Sequence, residues 1–226
     1  MNNIFERTEL LLGTSAIDKL KKSNIIIFGV GGVGGYVTEA LVRSGVSNIS
    51  IVDNDTVSPS NINRQIIATT CTIGKYKVDV MEERIKQINP NANVIKYNCF
   101  FSKENMDEFD FKKYDYIIDC IDSVESKLEL IAKAYNENIK IISSMGAGNK
   151  LNPQGLMISD INKTEMDPLA RKIRYELRKR GIKKLKVAYS KEEPKKIEGI
   201  NFPASNAWVP ASMGLLIASE VIKDLI

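Results

Sequence analysis

Histidine is absent from the 226 residues, which removes the usual general base near neutral pH and the commonest nitrogen ligand for metals. The three cysteines, Cys71, Cys99 and Cys120, contain no C-x-x-C pair, and none follows Cys120. This excludes a disulfide framework and a four-cysteine zinc site, and it fits a reducing cytoplasm. Cys71 is expected to be an inert small core residue rather than a nucleophile. No apolar run reaches the ~18 residues of a membrane span, and no charged-then-apolar leader opens the chain, so no membrane association is expected. The most apolar tail, Ala207 to Ile226, is broken by Pro210 and carries Glu220 and Lys223, which predicts a buried C-terminal helix. Chemistry here must therefore rest on carboxylates, arginine, lysine, backbone N–H groups and a bound cation.

What is present is a hydrophobic content of 43%, enough for one compact α/β domain with a modest appendage. Apolar runs at 24–28, 48–53, 94–97, 116–119 and 140–144 read as strands. Segments with helical spacing at 33–44, 75–88 and 123–138 alternate with them, Ser123 serving as an N-cap. Such alternation implies a doubly wound, mostly parallel Rossmann-like sheet, with ligands bound beyond the carboxyl ends of the strands. Those ends carry Gly29 to Gly34, Asp53, Asp119 to Asp122 and Gly146 to Gly148. The alternation weakens after about residue 150. One domain over 1–226 is expected, its nucleotide-binding core at about 20–160 and an extension of the same domain at about 160–226.

The Gly29-Val-Gly31-Gly32-Val-Gly34 segment matches G-x-G-x-x-G between a strand and a helix, where backbone N–H groups can approach phosphate. Asp53, ending the next strand, is placed to accept from ribose hydroxyls. By themselves these features suit NAD as well as ATP. The polar loop that follows bears Arg64, and Lys77 lies just inside the next helix. Two cations suit the charges of a triphosphate better than a dinucleotide. Asp122, beyond the fourth strand, can hold Mg²⁺ while phosphates fill other positions.

Four strings are involved: Ile51-Val-Asp-x-Asp-x-Val57, Asn61-x-Asn-Arg-Gln65, Ile73-Gly-x-x-Lys77 and Asp119-Cys-Ile-Asp122. With the glycine loop, they resemble the adenylating domain of the ThiF, MoeB, HesA and ubiquitin-E1 superfamily. The resemblance implies nucleotide binding by the glycine loop, Asp53 and Asp55, phosphate contacts from Asn61, Arg64 and Lys77, and magnesium on Asp122. It implies catalytic roles for Arg64, Lys77 and Asp122. It also implies a homodimer in which an N-terminal arginine reaches the partner's ATP site. The opening Glu6-Arg7-Thr-Glu-Leu-Leu-Leu-Gly13 looks like that element, making Arg7 the candidate.

The lack of a zinc site and of a late cysteine separates the chain from members that make thioesters or persulfides. Gly146-Ala-Gly148 with Asn152-Pro153, then Asp160-Ile-Asn-Lys-Thr-Glu-Met-Asp-Pro168-Leu-Ala170, resembles the tRNA threonylcarbamoyladenosine dehydratase branch. That branch activates the carboxylate of the threonylcarbamoyl group on adenosine 37 of tRNA. The same modification's carbamoyl part then closes a ring, with release of AMP. Members can also have a cysteine desulfurase and sulfur-acceptor system as partner and a monovalent cation at the 146–152 loop. From Arg171 to Lys186, nine basic residues face one acid, Glu176. Arg171, Lys172, Arg174, Arg178, Lys179 and Arg180 are expected to fan over an exposed arc toward tRNA, with Ile173 and Leu177 buried. Two alternatives are a ThiF/MoeB-like activator of a ubiquitin-like sulfur carrier's C-terminus and a non-catalytic NAD-binding module.

Overall fold

The computed structural model describes residues 3–199 and 202–226. Two short helices, α1 (Glu6–Leu12) and α2 (Thr14–Lys22), precede the first strand, β1 (Asn24–Phe28). Then come α3 (Gly34–Arg43), β2 (Asn48–Val52), α4 (Lys77–Ile88), β3 (Asn93–Tyr97), β4 (Tyr116–Asp119), α5 (Val124–Asn136) and β5 (Ile141–Ser144). The chain finishes with β6 (Leu156–Asp160), α6 (Pro168–Lys179), β7 (Lys186–Ser190) and α7 (Trp208–Leu225). Each strand and helix anticipated before residue 150 is present, with ends shifted by two residues or fewer.

The seven strands lie in the order β3-β2-β1-β4-β5-β7-β6, all parallel except β6, which runs antiparallel to β7. β1 lies between β2 and β4, with Phe28 opposite both Val52 and Asp119. Alternate residues of β1 face opposite ways, the period expected of a strand. Ile25 and Ile27 pack with Leu41 of α3, Met81 of α4 and Ile217 of α7. Ile26 and Phe28 pack with Phe101, Phe111 and Leu130 on the other face. Both faces are thus covered by apolar groups, which is why the strands read as continuous apolar runs.

The segment read as an extension does more than append to this sheet. It contributes β6 and β7, and β7 pairs parallel with β5. Periodicity did not reveal them because β6 is half-buried throughout, and Lys186 opens β7 with a charge. The C-terminal helix is apolar and buried along one face, but it starts at Trp208. No helix among the described residues is long and apolar enough to cross a membrane. Gly214 lets α7 approach the start of α3, since a Cβ there would lie 2.5 Å from Val33 O. The last helix therefore buttresses the glycine loop.

Candidate active site

The strand order reverses between β1 and β4, so the loops leaving them diverge and open a crevice. A cavity of about 850 Å³ lies there, walled by the glycine loop, Asp53, Lys77, Asp122 and the Gly146 loop. Its glycines are required for different reasons. Gly29 has φ +89°, and a Cβ on it would meet Cys120 O at 2.6 Å. A Cβ on Gly34 would fall 1.8 Å from Gly29 O, so only glycine can begin α3 this close to β1. On Gly32 a Cβ would lie 3.3 Å from both Arg64 Cγ and Pro210 Cβ. Gly31 is the open one, with Gln65 Nε2 its nearest neighbour at 3.8 Å.

Asp53 directly follows β2 with both oxygens already engaged, one accepting from Val30 N–H at 2.7 Å and the other from Asp55 N–H at 2.9 Å. Its carboxylate thus ties the glycine loop to β2 and keeps lone pairs able to accept from further donors. Burial pushes the Asp53 carboxyl above its ordinary value, against the pull of Lys77 and the two N–H groups. Lys77 is buried at the start of α4, with Nζ 2.6 Å from Asp55 and 3.9 Å from Asp53. Arg64 lays its stem over Gly32 while Nη1 donates to Ser60 O and Asn63 Oδ1, both at 2.9 Å. Asn61 is buried, and its side-chain oxygen accepts from Ser58 N–H, so it shapes the turn that carries Arg64. All of these line the same cavity.

Asp122 is exposed at the cavity wall. No cluster of three metal-ligating side chains exists among the described residues. A single accessible carboxylate suits Mg²⁺ arriving with phosphates, because that ion takes one or two carboxylates and phosphate oxygens rather than an all-protein cage. Behind Asp122 lies an ion pair missed in the sequence. Lys127 Nζ sits 2.7 Å from Asp119 Oδ2, both side chains fully buried, and Lys127 also donates to Ser143 Oγ and Ser144 O. The other Asp119 oxygen accepts from Ile121 N–H at 3.0 Å, which bends the chain toward Asp122. The signal was available: Lys127 falls on the apolar stripe of α5 with Leu130, Ile131 and Ala134. Cys120, on the same wall, has its thiol pushed up to about 12 by burial and the Asp119 charge, so it is held as a neutral thiol.

A second buried pair closes the far side. Lys150 Nζ donates to Gly146 O at 2.7 Å and to Asp167 Oδ2 at 3.0 Å, while Asp167 Oδ1 caps α6 by accepting from Ala170 N–H. The carbonyls of Gly146, Asn149, Lys150 and Leu151 each accept from a protein donor: Lys150, Lys195, Asn206 and Trp208 respectively. Past Asp167 a second cavity, of about 660 Å³, shares Asn149, Asp167, Pro168 and Pro194 with the first. Arg171, Arg174, Lys195 and Lys196 line it.

The basic helix departs from the expected arc. Ile173 and Leu177 are buried as anticipated. Arg174, however, turns inward: its Nη1 donates to Thr164 Oγ1 at 2.6 Å, Thr164 O at 3.0 Å and Ile161 O at 3.1 Å. Lys179 pairs with Glu176 and Arg180 with Glu129. Arg171, Lys172 and Arg178 remain exposed without an ion pair among the described residues. The reason is that Arg174 lies one position from the buried Ile173, where a long side chain reaches the carbonyls of Ile161 and Thr164 in the turn before α6.

Cys71 is exposed on the turn between residues 69 and 74, which overturns its expected core position. Its neighbours Thr69, Thr70 and Thr72 hydrogen-bond among themselves and with the turn, a polar setting that apolar patterning cannot distinguish from a core. Arg7 is exposed on α1 and is not on the walls of its own chain's cavity.

Comparison with known proteins follows the same lines. The sequence model of the ThiF family matches residues 5–226. The tRNA threonylcarbamoyladenosine dehydratase of Bacillus subtilis (strain 168) is 41% identical, over 98% of this chain and 94% of that protein. The crystal structure of Escherichia coli tRNA N6-threonylcarbamoyladenosine dehydratase, TcdA, in complex with AMP superposes with a TM-score of 0.93. It is 34% identical and covers 98% of this chain and 93% of that one. The same enzyme in complex with ATP gives the same TM-score and identity.

Proposed function

Because the chain belongs to the ThiF family, we propose that it uses ATP to adenylate the carboxylate of N6-threonylcarbamoyladenosine at tRNA position 37 and closes it to the cyclic form. The observation that carries this reading is the continuity of two cavities. One holds the glycine loop, Lys77 and Asp122, and the other is lined by Arg171, Lys195 and Lys196 beside Glu165 and Glu193; they meet at Asn149, Asp167, Pro168 and Pro194. A nucleotide in the first and a modified nucleoside entering through the second would place phosphate and carboxylate together at the junction.

The chemistry suits the residue inventory. A carboxylate is a poor electrophile. Its oxygen attacks the α-phosphorus of ATP, pyrophosphate leaves, and the acyl carbon then carries AMP as leaving group. A nucleophilic atom of the carbamoyl group on the same substrate attacks that carbon, loses its proton and expels AMP, so one water is lost overall. The attacking group is already tethered, so proximity supplies much of the rate and no enzyme nucleophile is needed. This explains how the chain does without histidine and without a late cysteine. Lys77 and Arg64 neutralise charge on the departing pyrophosphate, Arg64 by leaving Ser60 and Asn63 for the phosphates. Magnesium, when bound, would add Lewis-acid neutralisation of the phosphates, and Asp122 is the residue to hold it. A monovalent cation at the 146–152 loop would be held by its backbone carbonyls, of which those of Gly146, Asn149, Lys150 and Leu151 also accept from protein donors and keep a second lone pair each.

A homodimer completes the site in this proposal. The α1 helix buries none of its own residues, and Leu10 and Leu11 are each 82% exposed, a surface suited to a second copy of the chain. Arg7 would then reach the partner's cleft. The chain works as a single adenylating unit in a tRNA-containing compartment, the cytoplasm. Purified protein with ATP and modified tRNA, followed by nucleoside mass spectrometry, tests the whole reading. Loss of one water from the modified nucleoside is expected, and it should vanish in Arg64→Ala, Asp122→Ala and Arg7→Ala. A mixture of Arg7→Ala and Arg64→Ala chains should recover part of it. Turnover in Arg64→Ala at the wild-type rate, or no recovery despite subunit exchange, counts against the respective assignment.

A further inference from the structure

Gln65 closes the Asn61-x-Asn-Arg-Gln65 string, and the adenylation chemistry above gives it no role. Its backbone is spent on the turn: N–H donates to Asn61 O at 2.9 Å, and O accepts from Ala68 N–H at 3.0 Å. The side chain is 6% exposed and lines the nucleotide cavity. Its Oε1 is the only buried side-chain nitrogen or oxygen among the described residues without a hydrogen-bond partner. Its Nε2 points to Gly31, 3.8 Å from where a Cβ would be, and Gly31 is the glycine of the loop with no other close neighbour. An unpaired buried amide is a standing cost to the empty protein. A glutamine kept there at that cost, facing the one open glycine, has the position of a group that waits for a ligand.

We propose that Gln65 is a further nucleotide-binding residue whose carboxamide engages the α-phosphate above Gly31. The placement selects that phosphate. Gly31 follows Val30, whose N–H is held by the ribose-side carboxylate Asp53, so the phosphate nearest the ribose is the one over Gly31. Arg64 and Lys77 are cations suited to the departing pyrophosphate. A neutral amide suits the phosphate that stays, because ATP, the acyl-adenylate and AMP all keep it while its charge changes. Rotation about the last side-chain torsions turns Nε2 onto a phosphate oxygen and brings Oε1 out to water. The inference rests on the ATP-binding part of the proposed function and on nothing about the tRNA.

The test is nucleotide binding by the full chain, without tRNA. Gln65→Met keeps the volume and removes the amide. ATP and AMP should each bind about threefold to tenfold more weakly, the loss of one hydrogen bond. Adenosine affinity should not change, and the Tm of the nucleotide-free variant should be equal or higher because the orphaned amide is gone. Gln65→Glu sets a carboxylate against the phosphate and should weaken AMP further than Gln65→Met does. Unchanged AMP and ATP affinity in Gln65→Met would overturn the proposal. So would a lower Tm together with weaker adenosine binding, the pattern of an amide that merely holds the turn. If the wild-type chain itself binds no ATP, the adenylation reading fails first, a result separable from failure at Gln65.

Discussion

The two halves of the site are held by different means. Around the glycine loop, backbone lies against backbone: Gly34 against Gly29 and Gly29 against Cys120, with spacings that leave no room for a side chain. Around the 146–152 loop, distant side chains hold the chain. Lys150 reaches Asp167, Asn206 reaches Lys150 O, and Trp208 reaches Leu151 O across 17, 56 and 57 residues. The first arrangement is stiff and leaves one solution. The second is assembled from separate polar contacts, each of which can change on its own. A superfold that hosts many chemistries would be expected to keep its nucleotide half constant and vary the other, since function lives in sites grafted on folds.

The sharpest way to break the comparison is a methyl group. Gly34→Ala sets a Cβ 1.8 Å from Gly29 O, backbone that cannot yield, so a loss above about 4 kcal/mol or failure to fold is expected in denaturant titration. Gly31→Ala meets only ordinary contact at 3.8 Å and should keep the fold to within about 1 kcal/mol while losing nucleotide affinity. Equal stability of the two variants would mean that the glycine loop is not stiff.

The next effect falls on the other half. Lys150→Met strips the cation from a buried carboxylate, a change that typically costs about 3–5 kcal/mol. Asp167 keeps N–H donors from Gly146 and Ala170, so a loss of about 2–3 kcal/mol is expected. Proteolysis should become faster near residues 191–199, while ATP affinity changes by less than about threefold, since the hydrogen bonds of Lys150 Nζ go to Gly146 O and Asp167 and not to the glycine loop. A large loss of ATP affinity would show the halves to be one unit.

The smallest effect separates exposed from inward cations on α6. Arg171→Glu or Arg178→Glu should weaken tRNA binding and flatten the log–log salt slope by just under about one unit per lost phosphate contact. Arg174→Ala should leave the slope alone and cost about 1–2 kcal/mol of stability, because its guanidinium holds Ile161 and Thr164. A slope change in Arg174→Ala and none in the other two would reverse these roles.

Much of this could be read from the residues alone. Runs such as Ile25 to Phe28 are apolar because both sheet faces are covered, and they locate the parallel strands before residue 150. The glycine spacing, Asp53, Lys77 and Asp122 lie within one or two residues of strand or helix ends, Arg64 stands in the polar loop between two of them, and strand ends in this fold converge on one crevice. Short-range order therefore determined the nucleotide half. Tertiary structure alone decided that β7 inserts beside β5, that Arg174 turns inward and Cys71 outward, and that Lys150 meets Asp167. Each of these depends on which distant carbonyl or carboxylate a side chain can reach. A local pattern of apolar and polar residues carries hydrophobic burial along the chain, but it does not name the partner of a buried charge, because that partner is chosen by geometry across the fold.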